Sequence, residues 1–516
     1  MGEVFRANLS SAVFPMTLAD AGRTVISQQG DQNYDKRVDP QGTQKDAGIP
    51  QAIYLQDVIP TVNGYQSIGY NSDTKPMPPR QSGTGTLALV QSFVVDVPGR
   101  SLPAILVQRQ GTLSYHDVVS IPITFSTSWQ YQATTVRPVK GLEDSTIATV
   151  RGVNYWCDGS TIFSFTIDPN TYQVTFLSLL TVITGITIAT IKAICSSYNY
   201  LIAIDDNNVV HWSSTTTPTD FVPSLVTGAG SEIPSDLQGQ ARFILTHPDG
   251  FIIYSDRNAV FARYTGNARY PFKFTPIADA GGYTTVKQVS GNNQSLVHYG
   301  LDNSNKVQIL KEGRAELVAP EVTTYLERKT YRDTFDYATN AFGKTNVLPL
   351  YAVHFLLDRY IIIGDFVYDT LLQRYGKLSY DYHSICASDR YIVFIPNNST
   401  GKPAKLSFDI YDSLATFQGV LLLGKFQVVR SRNIKLEGVE VESSQDASLV
   451  TPNFSMYLYP SLDGKNFLSP IELTCTFSDE LITAPVHNTA KNHSILLKGA
   501  FDINTLQLDF TIAGGR

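Results

Sequence analysis

Charge is scarce in this chain. Only 17% of its 516 residues are Asp, Glu, Lys or Arg, and the formal net charge is −6 with a pI near 5.8. Gripping nucleic acid through its phosphates requires a surplus of Lys and Arg, so the balance excludes that mode of action. It does not exclude DNA sliding past a surface that fails to attract it. Cysteine is rarer still: Cys157, Cys195, Cys386 and Cys475 lie far apart without a CxxC pair, so neither a zinc site nor a disulfide framework is expected, and all four read as core thiols. Helical patterning is missing as well, since nothing between about residues 86 and 413 sustains an i, i+3, i+4 apolar stripe. One charge-free run, Phe176 to Ile191, falls short of the ~20 residues of a membrane-spanning helix and is rich in Thr and β-branched residues. It reads as two buried strands around a turn at Gly185, and no membrane span is expected. The opening MGEVFRANLS has no basic stretch leading into an apolar one, so no secretory signal is expected either.

What the chain has in quantity is strand material. Aromatics reach 11%, with 28 Tyr and 26 Phe against 3 Trp, and Val, Ile and Thr are abundant, the usage of pleated, half-buried strands. Seven times an apolar strand meets a short polar turn and a second apolar strand returns. The turns are Arg109 to Gly111, Cys157 to Ser160, Asp205 to Asn208, Asp256 to Asn258, Asp302 to Asn305, Gly364 with Asp365, and Pro396 to Lys402. A recurrence of roughly 40 to 50 residues built from antiparallel hairpins is the spacing of β-propeller blades, which bury both faces only when neighbours stack on them. The fold class is therefore all-β: a β-propeller of about six to seven blades with a C-terminal β-sandwich-like domain and an extended N-terminal segment. The polar stretches Ser27 to Pro50 and Asn71 to Gly85 set off residues 1–84 as an N-terminal arm and docking segment, followed by a propeller over 85–415. Longer alternating strands and the Asp463-Gly464 turn mark 416–516 as the sandwich-like domain. Helix is expected only at Ala319 to Tyr331, where Pro320 suits a first helical turn; this falls in the longest gap between turns and reads as an insertion serving assembly.

Chemistry-bearing motifs are weak. Gly343-Lys344-Thr345 ends like a phosphate-binding loop, but Ala338 stands where that loop needs glycine. The histidines (His116, His211, His247, His298, His354, His383, His487, His493) never fall at the spacing of metal ligands on one element. Asp205-Asp206-Asn207-Asn208 and Asp463-Gly464-Lys465-Asn466 offer oxygens for Ca2+ without the alternating spacing of a calcium loop, and hairpin turns explain them. Lys425, Arg430, Arg432 and Lys435 could meet phosphate or an acidic subunit, or could be an exposed strand face protected by charge. No catalytic, cofactor-binding or metal-binding residue is assigned, no cofactor is expected, and the chain is not expected to be an enzyme.

Several phrases in order carry a resemblance. Gln51 to Tyr70, His211 to Gly230, Phe251 to Tyr264, Phe272 to Gly282 and Val367 to Leu378 resemble segments of the β-propeller tail nozzle or hub proteins of short-tailed bacteriophages, the tail tubular B-like, packaged-DNA stabilisation group. Tyr375 departs from the pattern, standing where that group has Trp. The resemblance implies a structural virion protein of the tail, assembled in the host cytoplasm. It would form a homohexameric ring below the portal and its adaptor, the head–tail connector, and meet tail fibres or a tail needle. Double-stranded DNA would pass through the lumen without specific binding, held until ejection and then guided out. A loop such as Thr215 to Ser235 would constrict the channel or meet fibres. Two other readings stay open: a receptor- or glycan-binding propeller of the tail, and a polysaccharide-degrading propeller enzyme.

Overall fold

The computed structural model describes Met16–Thr17 and residues 52–512, apart from 62–63, 72–89, 101–102, 113–114, 123–131, 139–144, 160, 180–181, 268, 292–295, 321, 324–325, 327–334, 337–340, 343–352, 357–358, 381, 388–391, 397–402, 414, 424–432, 444–452, 464–465 and 479–480. Seven antiparallel sheets follow one another around a ring. Blades 1 to 5 are four-stranded meanders that begin at the strands Val90–Val95, Thr146–Val150, Ile191–Ser197, Ala241–His247 and Val289–Ser290. Blade 6 runs from Val353–Leu356 to Arg374–Lys377, and blade 7 from Tyr382–Ala387 to Ala404–Ser407. The protein is all-β, a seven-bladed propeller carrying a β-sandwich.

Each recurrent turn of the sequence marks one blade, always between its second and third strands. The reason for Asp at these points is local. Asp158 Oδ1 accepts from the Thr161 amide at 2.7 Å, Asp205 Oδ1 from Asn207 and Val209 at 2.9 Å, and Asp302 Oδ1 from Ser304 and Lys306 at 2.8 Å. In blade 4, Ser255 Oγ does the same for Arg257 and Asn258. A side chain thus closes the turn where the ladder cannot. The first turn falls later than the sequence suggests: Gly111 lies at an irregularity between Gln110 and Thr112, and the chain reverses between Thr112 and Tyr115.

Blade strands are buried on both faces, and their period of two sorts side chains between neighbours. In Tyr200–Asp205, Leu201 and Ala203 join blade 2 residues such as Val150 and Cys157, while Tyr200, Ile202 and Ile204 join Phe243, Ile253 and Phe261 of blade 4. Similar clusters join blades 1 and 2 around Trp156, blades 5 and 6 around Leu301 and Phe366, and blades 6 and 7 around Ile362 and Phe394. The first strands of blades 7 and 1 meet at Ser384 and Ser92, whose hydroxyls are 2.5 Å apart, so the ring closes.

Two expectations are corrected or completed. Phe176 to Ile191 is not a hairpin. Its first residues end the outer strand Val174–Ser178 of blade 2, and a 3-10 turn, Ile188–Thr190, leads into blade 3. Gly185 is required there: its φ is +84°, and a Cβ would stand 2.5 Å from the Phe221 carbonyl carbon. At Ala319 to Tyr331, residues 320, 322, 323 and 326 are helical, and Ala319, Val322 and Leu326 bury against blades 5 and 6; residues 321, 324–325 and 327–331 lie outside the described residues.

The segment 52–71 is woven through the whole molecule. After β1 (Met16–Thr17), which pairs with the last strand, come β2 (Ala52–Gln56), β3 (Val58–Pro60), β4 (Tyr65–Ser67) and β5 (Gly69–Asn71). β2 pairs with Gly419–Leu423 in one sheet of the sandwich, and β4 with Asp502–Ile512 in the other. Between them β3 pairs with the outer strand of blade 6 at Val58 and Lys377, and β5 then supplies the fourth strand of blade 7. One eleven-stranded sheet therefore runs from blade 6 through β3 and β4 into the sandwich. The sandwich core, with Leu55, Tyr65, Leu421, Val439, Met456, Ile482, Leu497 and Phe501, takes residues from both ends of the chain. Residues 52–71 thus belong to propeller and sandwich alike, whereas the boundary expected at 84 lies outside the described residues.

Asp57 is the fastener of this weave. At φ 50° and 1% exposure, it accepts from the Ser379 amide at 2.7 Å, the Ser379 hydroxyl and the Tyr70 hydroxyl at 3.0 Å, tying β2, β5 and the link between blades 6 and 7 together. Replacing it leaves the half-buried Tyr70 hydroxyl and the Ser379 amide and hydroxyl without their acceptor, at ~1–3 kcal/mol for a fully buried donor and less for those that water reaches. Asp57→Ala is expected to lower unfolding stability by about 3 kcal/mol, read by urea denaturation, with Asp57→Asn losing less.

Candidate functional site

The motifs with possible chemistry disperse when the chain folds. Cys157 and Cys195 are buried between blades, where desolvation pushes the Cys157 thiol up to about 12 and raises that of Cys195, and Cys475 lines the sandwich core. His211 pairs with Asp205 inside a blade turn at 3.2 Å, and His493 meets Asn488 at 3.1 Å. Asp463 closes its own turn by accepting from Asn466. Lys435 pairs with Glu437 at 3.0 Å. The side chains of His116, His383, Cys386, Lys425, Arg430 and Arg432, and the Gly343-Lys344-Thr345 turn, lie outside the described residues. Among the described residues, no group of three or more His, Cys, Asp or Glu is placed to hold a metal, and no helix is long and apolar enough to cross a membrane.

The feature that stands out is the loop between the third and fourth strands of blade 3, Val210–Trp212 and Gly230–Glu232. It runs back over the junction of blades 2 and 3. Phe221, 1% exposed, plugs the core between those blades, and its amide donates to the Thr184 carbonyl at 2.9 Å. Asp220 accepts from Thr184 Oγ1 and from the Val222 amide, and Arg151 of blade 2 donates to the Thr216 carbonyl. Ser214 Oγ caps the Thr216 and Thr217 amides, Ser224 Oγ caps Val226 and Thr227, and Thr215 donates to the Thr227 carbonyl. Hydroxyls and one carboxylate thus fix the backbone without any regular structure.

On this fixed frame the apolar side chains point to solvent. Val222 is 48% exposed, Leu225 72% and Val226 96%, and Val182, two residues before Thr184, is also exposed. Single exposed aliphatics are ordinary; three within five residues of one hydrogen-bonded loop make it a candidate contact surface. Sequence reading singled out the loop for its Thr, Pro and Gly. It gave no role to Phe221, Leu225 or Val226, whose run FVPSLV looks like core; the signal available was an apolar run enclosed by turn residues.

Tyr375 lies buried against Tyr368 with ring centroids 5.1 Å apart.

No family model matches the chain, and no curated protein matches it. Among solved structures it is similar to U3-55K (8% identity, TM-score 0.36, 64% of this chain and 97% of that one) and to Saccharomyces cerevisiae Sqt1 (7%, 0.34, 66% and 98%). A glycoside hydrolase is similar at 10% identity and TM-score 0.26, over 85% of this chain and 99% of that one. Similarity at this level carries no argument, and the fold stands on the chain's own sheets.

Buried histidines give the molecule a pH dependence. His298, fully buried between blades 4 and 5 with Tyr254 Oη 2.7 Å from its Nδ1, is held by desolvation at a pKa of about 3, and His493 likewise at about 4, against an ordinary 6.5. Both stay neutral in the fold and take up a proton on unfolding below pH 6.5, so their contribution is fully present above that pH and declines as pH falls toward 4. Unfolding near pH 5 is expected to absorb about two protons through this pair, and about one fewer in His298→Gln, read from the slope of unfolding free energy against pH.

Proposed function

We propose that this protein is a structural component of a short-tailed phage tail, a nozzle subunit whose copies form a six-membered ring that extends the DNA channel below the portal and adaptor. The observation that carries the reading is the rigid loop over blades 2 and 3. It presents Leu225 and Val226 to solvent, in the segment that the family resemblance also covers. A ring subunit needs such a self-supporting contact, because an interface gains most from apolar groups already held in place. The weave of residues 52–71 supports the same reading. A conduit under the pressure of packaged DNA needs its domains to act as one body, and continuous sheet hydrogen bonding from blade 6 into the sandwich supplies that continuity. Charge agrees: copies each carrying a formal −6 enclose a lumen that repels phosphate, so DNA passes without sticking. The adaptor would be met at one end of the ring and fibres or a needle at the other.

The expected assembly has six times the 56.9 kDa chain mass and appears as a ring in electron micrographs of the tail. The double variant Leu225→Asp, Val226→Asp should keep the monomer's circular dichroism and thermal midpoint while losing the ring. A lone particle on the tail fibres, or rings unaffected by the double variant, would contradict the proposal.

A further inference from the structure

The rim between blades 3 and 4 is open where that between blades 2 and 3 is covered. A cleft of about 390 Å³ separates Gly230–Glu232 from the outer strand of blade 4, Phe272–Pro276. This is within the usual ~300–1,000 Å³ of small-ligand sites. Phe272 and Phe274 line it, Glu232 stands on the blade 3 side, and Thr265, Asn267 and Tyr270 come from the turn that closes blade 4.

That turn is built before any ligand arrives. The Thr265 amide donates to the Pro271 carbonyl at 2.8 Å, and its hydroxyl donates to the Tyr270 carbonyl at 2.5 Å. Asn267 donates its amide to Thr265 Oγ1 and accepts the Arg269 amide on Oδ1, so its side-chain oxygen is engaged within the turn. The Tyr270 ring, 58% exposed, has the Arg269 guanidinium 5.4 Å from its centroid. Behind the cleft, Phe272 is braced by Tyr264, Tyr200 and Trp212, and Tyr264 is stacked at 4.0 Å on Tyr198. Glu232 is exposed at the cleft's edge, with its carboxyl pKa raised by desolvation.

A flat exposed aromatic with a carboxylate, an amide and hydroxyls around an aromatic floor matches one chemistry above others. Pyranoses present C–H faces for rings and hydroxyl edges for polar groups. Phosphate ligands would instead meet Glu232, with Lys273 the lining cation. We propose that this cleft binds a saccharide, with Tyr270 against a C–H face and Glu232 and Asn267 bonding its hydroxyls. The site does not depend on the ring reading, and a change at Tyr270 leaves the Leu225 and Val226 surface intact.

The test uses the full chain on a glycan array of bacterial capsular and lipopolysaccharide oligosaccharides, with a peptide array run in parallel. Binding to at least one oligosaccharide is expected. It should fall tenfold or more in Tyr270→Ala and several-fold in Glu232→Gln, and persist in Tyr270→Phe, with thermal midpoints unchanged because both side chains are exposed. Absence of glycan binding by the unaltered protein, glycan binding indifferent to both substitutions, or Tyr270-dependent binding on the peptide array alone would overturn the proposal.

Discussion

Everything in this fold depends on the antiparallel pairing of Gly69–Asn71 with Ala404–Ser407, residues more than 330 apart in sequence. Blade 7 takes its fourth strand from before blade 1, and the short strand Thr416–Phe417 pairs on the other side of that strand, so the closing segment sits between two partners from the far end of the chain. An unclosed ring would leave the facing edges of its terminal blades in water, each rich in Ile, Val and Phe. The same stretch of chain has already entered the sandwich as β2 and β4, so closing the propeller and assembling the sandwich are one event. Ser67 shows the economy of this arrangement: its hydroxyl donates to the Phe501 carbonyl and accepts from the Phe501 amide, one strand before β5 enters blade 7.

The blades were legible in sequence and the weave was not, for physical reasons. A turn between second and third strands is a local problem, solved by Asp or Ser capping amides two to four residues on, and such residues declare themselves within a short window. Asp158, Asp205 and Asp302 could be read that way. The strands of the sandwich were legible too, since Phe454–Ser461 alternates buried and partly buried residues from Phe454 to Pro460. By contrast β3, β4 and β5 are three residues each; β3 and β4 pair with each other, but the strands that tie them and β5 into blade 6, the sandwich and blade 7 lie hundreds of residues downstream. No periodicity can be measured over three residues. Their short phrases resemble those of a family, but local pattern does not reveal which sheet each will join.

The loop of blade 3 failed to declare its parts for a different reason. Phe221 and Val226 are close in sequence and alike in hydropathy, yet one is 1% exposed and the other 96%. The distinction is made by Thr184, Asp220 and the Ser224 cap, which fix the backbone so that one side chain enters the blade junction and the other leaves the surface. Gly185 is part of the same device, since a side chain there would collide with the loop it supports. The proposed assembly surface and the proposed saccharide cleft therefore sit on adjoining junctions of one blade, the first closed by a loop and the second left open.

The claim that residues 52–71 bind propeller and sandwich into a single cooperative body is tested most directly by native-state hydrogen exchange. The account predicts that amides of Gly69–Asn71, Ala404–Ser407 and Gly419–Leu423 exchange through the same large opening as those of Tyr200–Asp205 in the middle of the ring. Exchange of β5 and its partner strand by a separate, much easier opening, with blade 3 still protected, would contradict it.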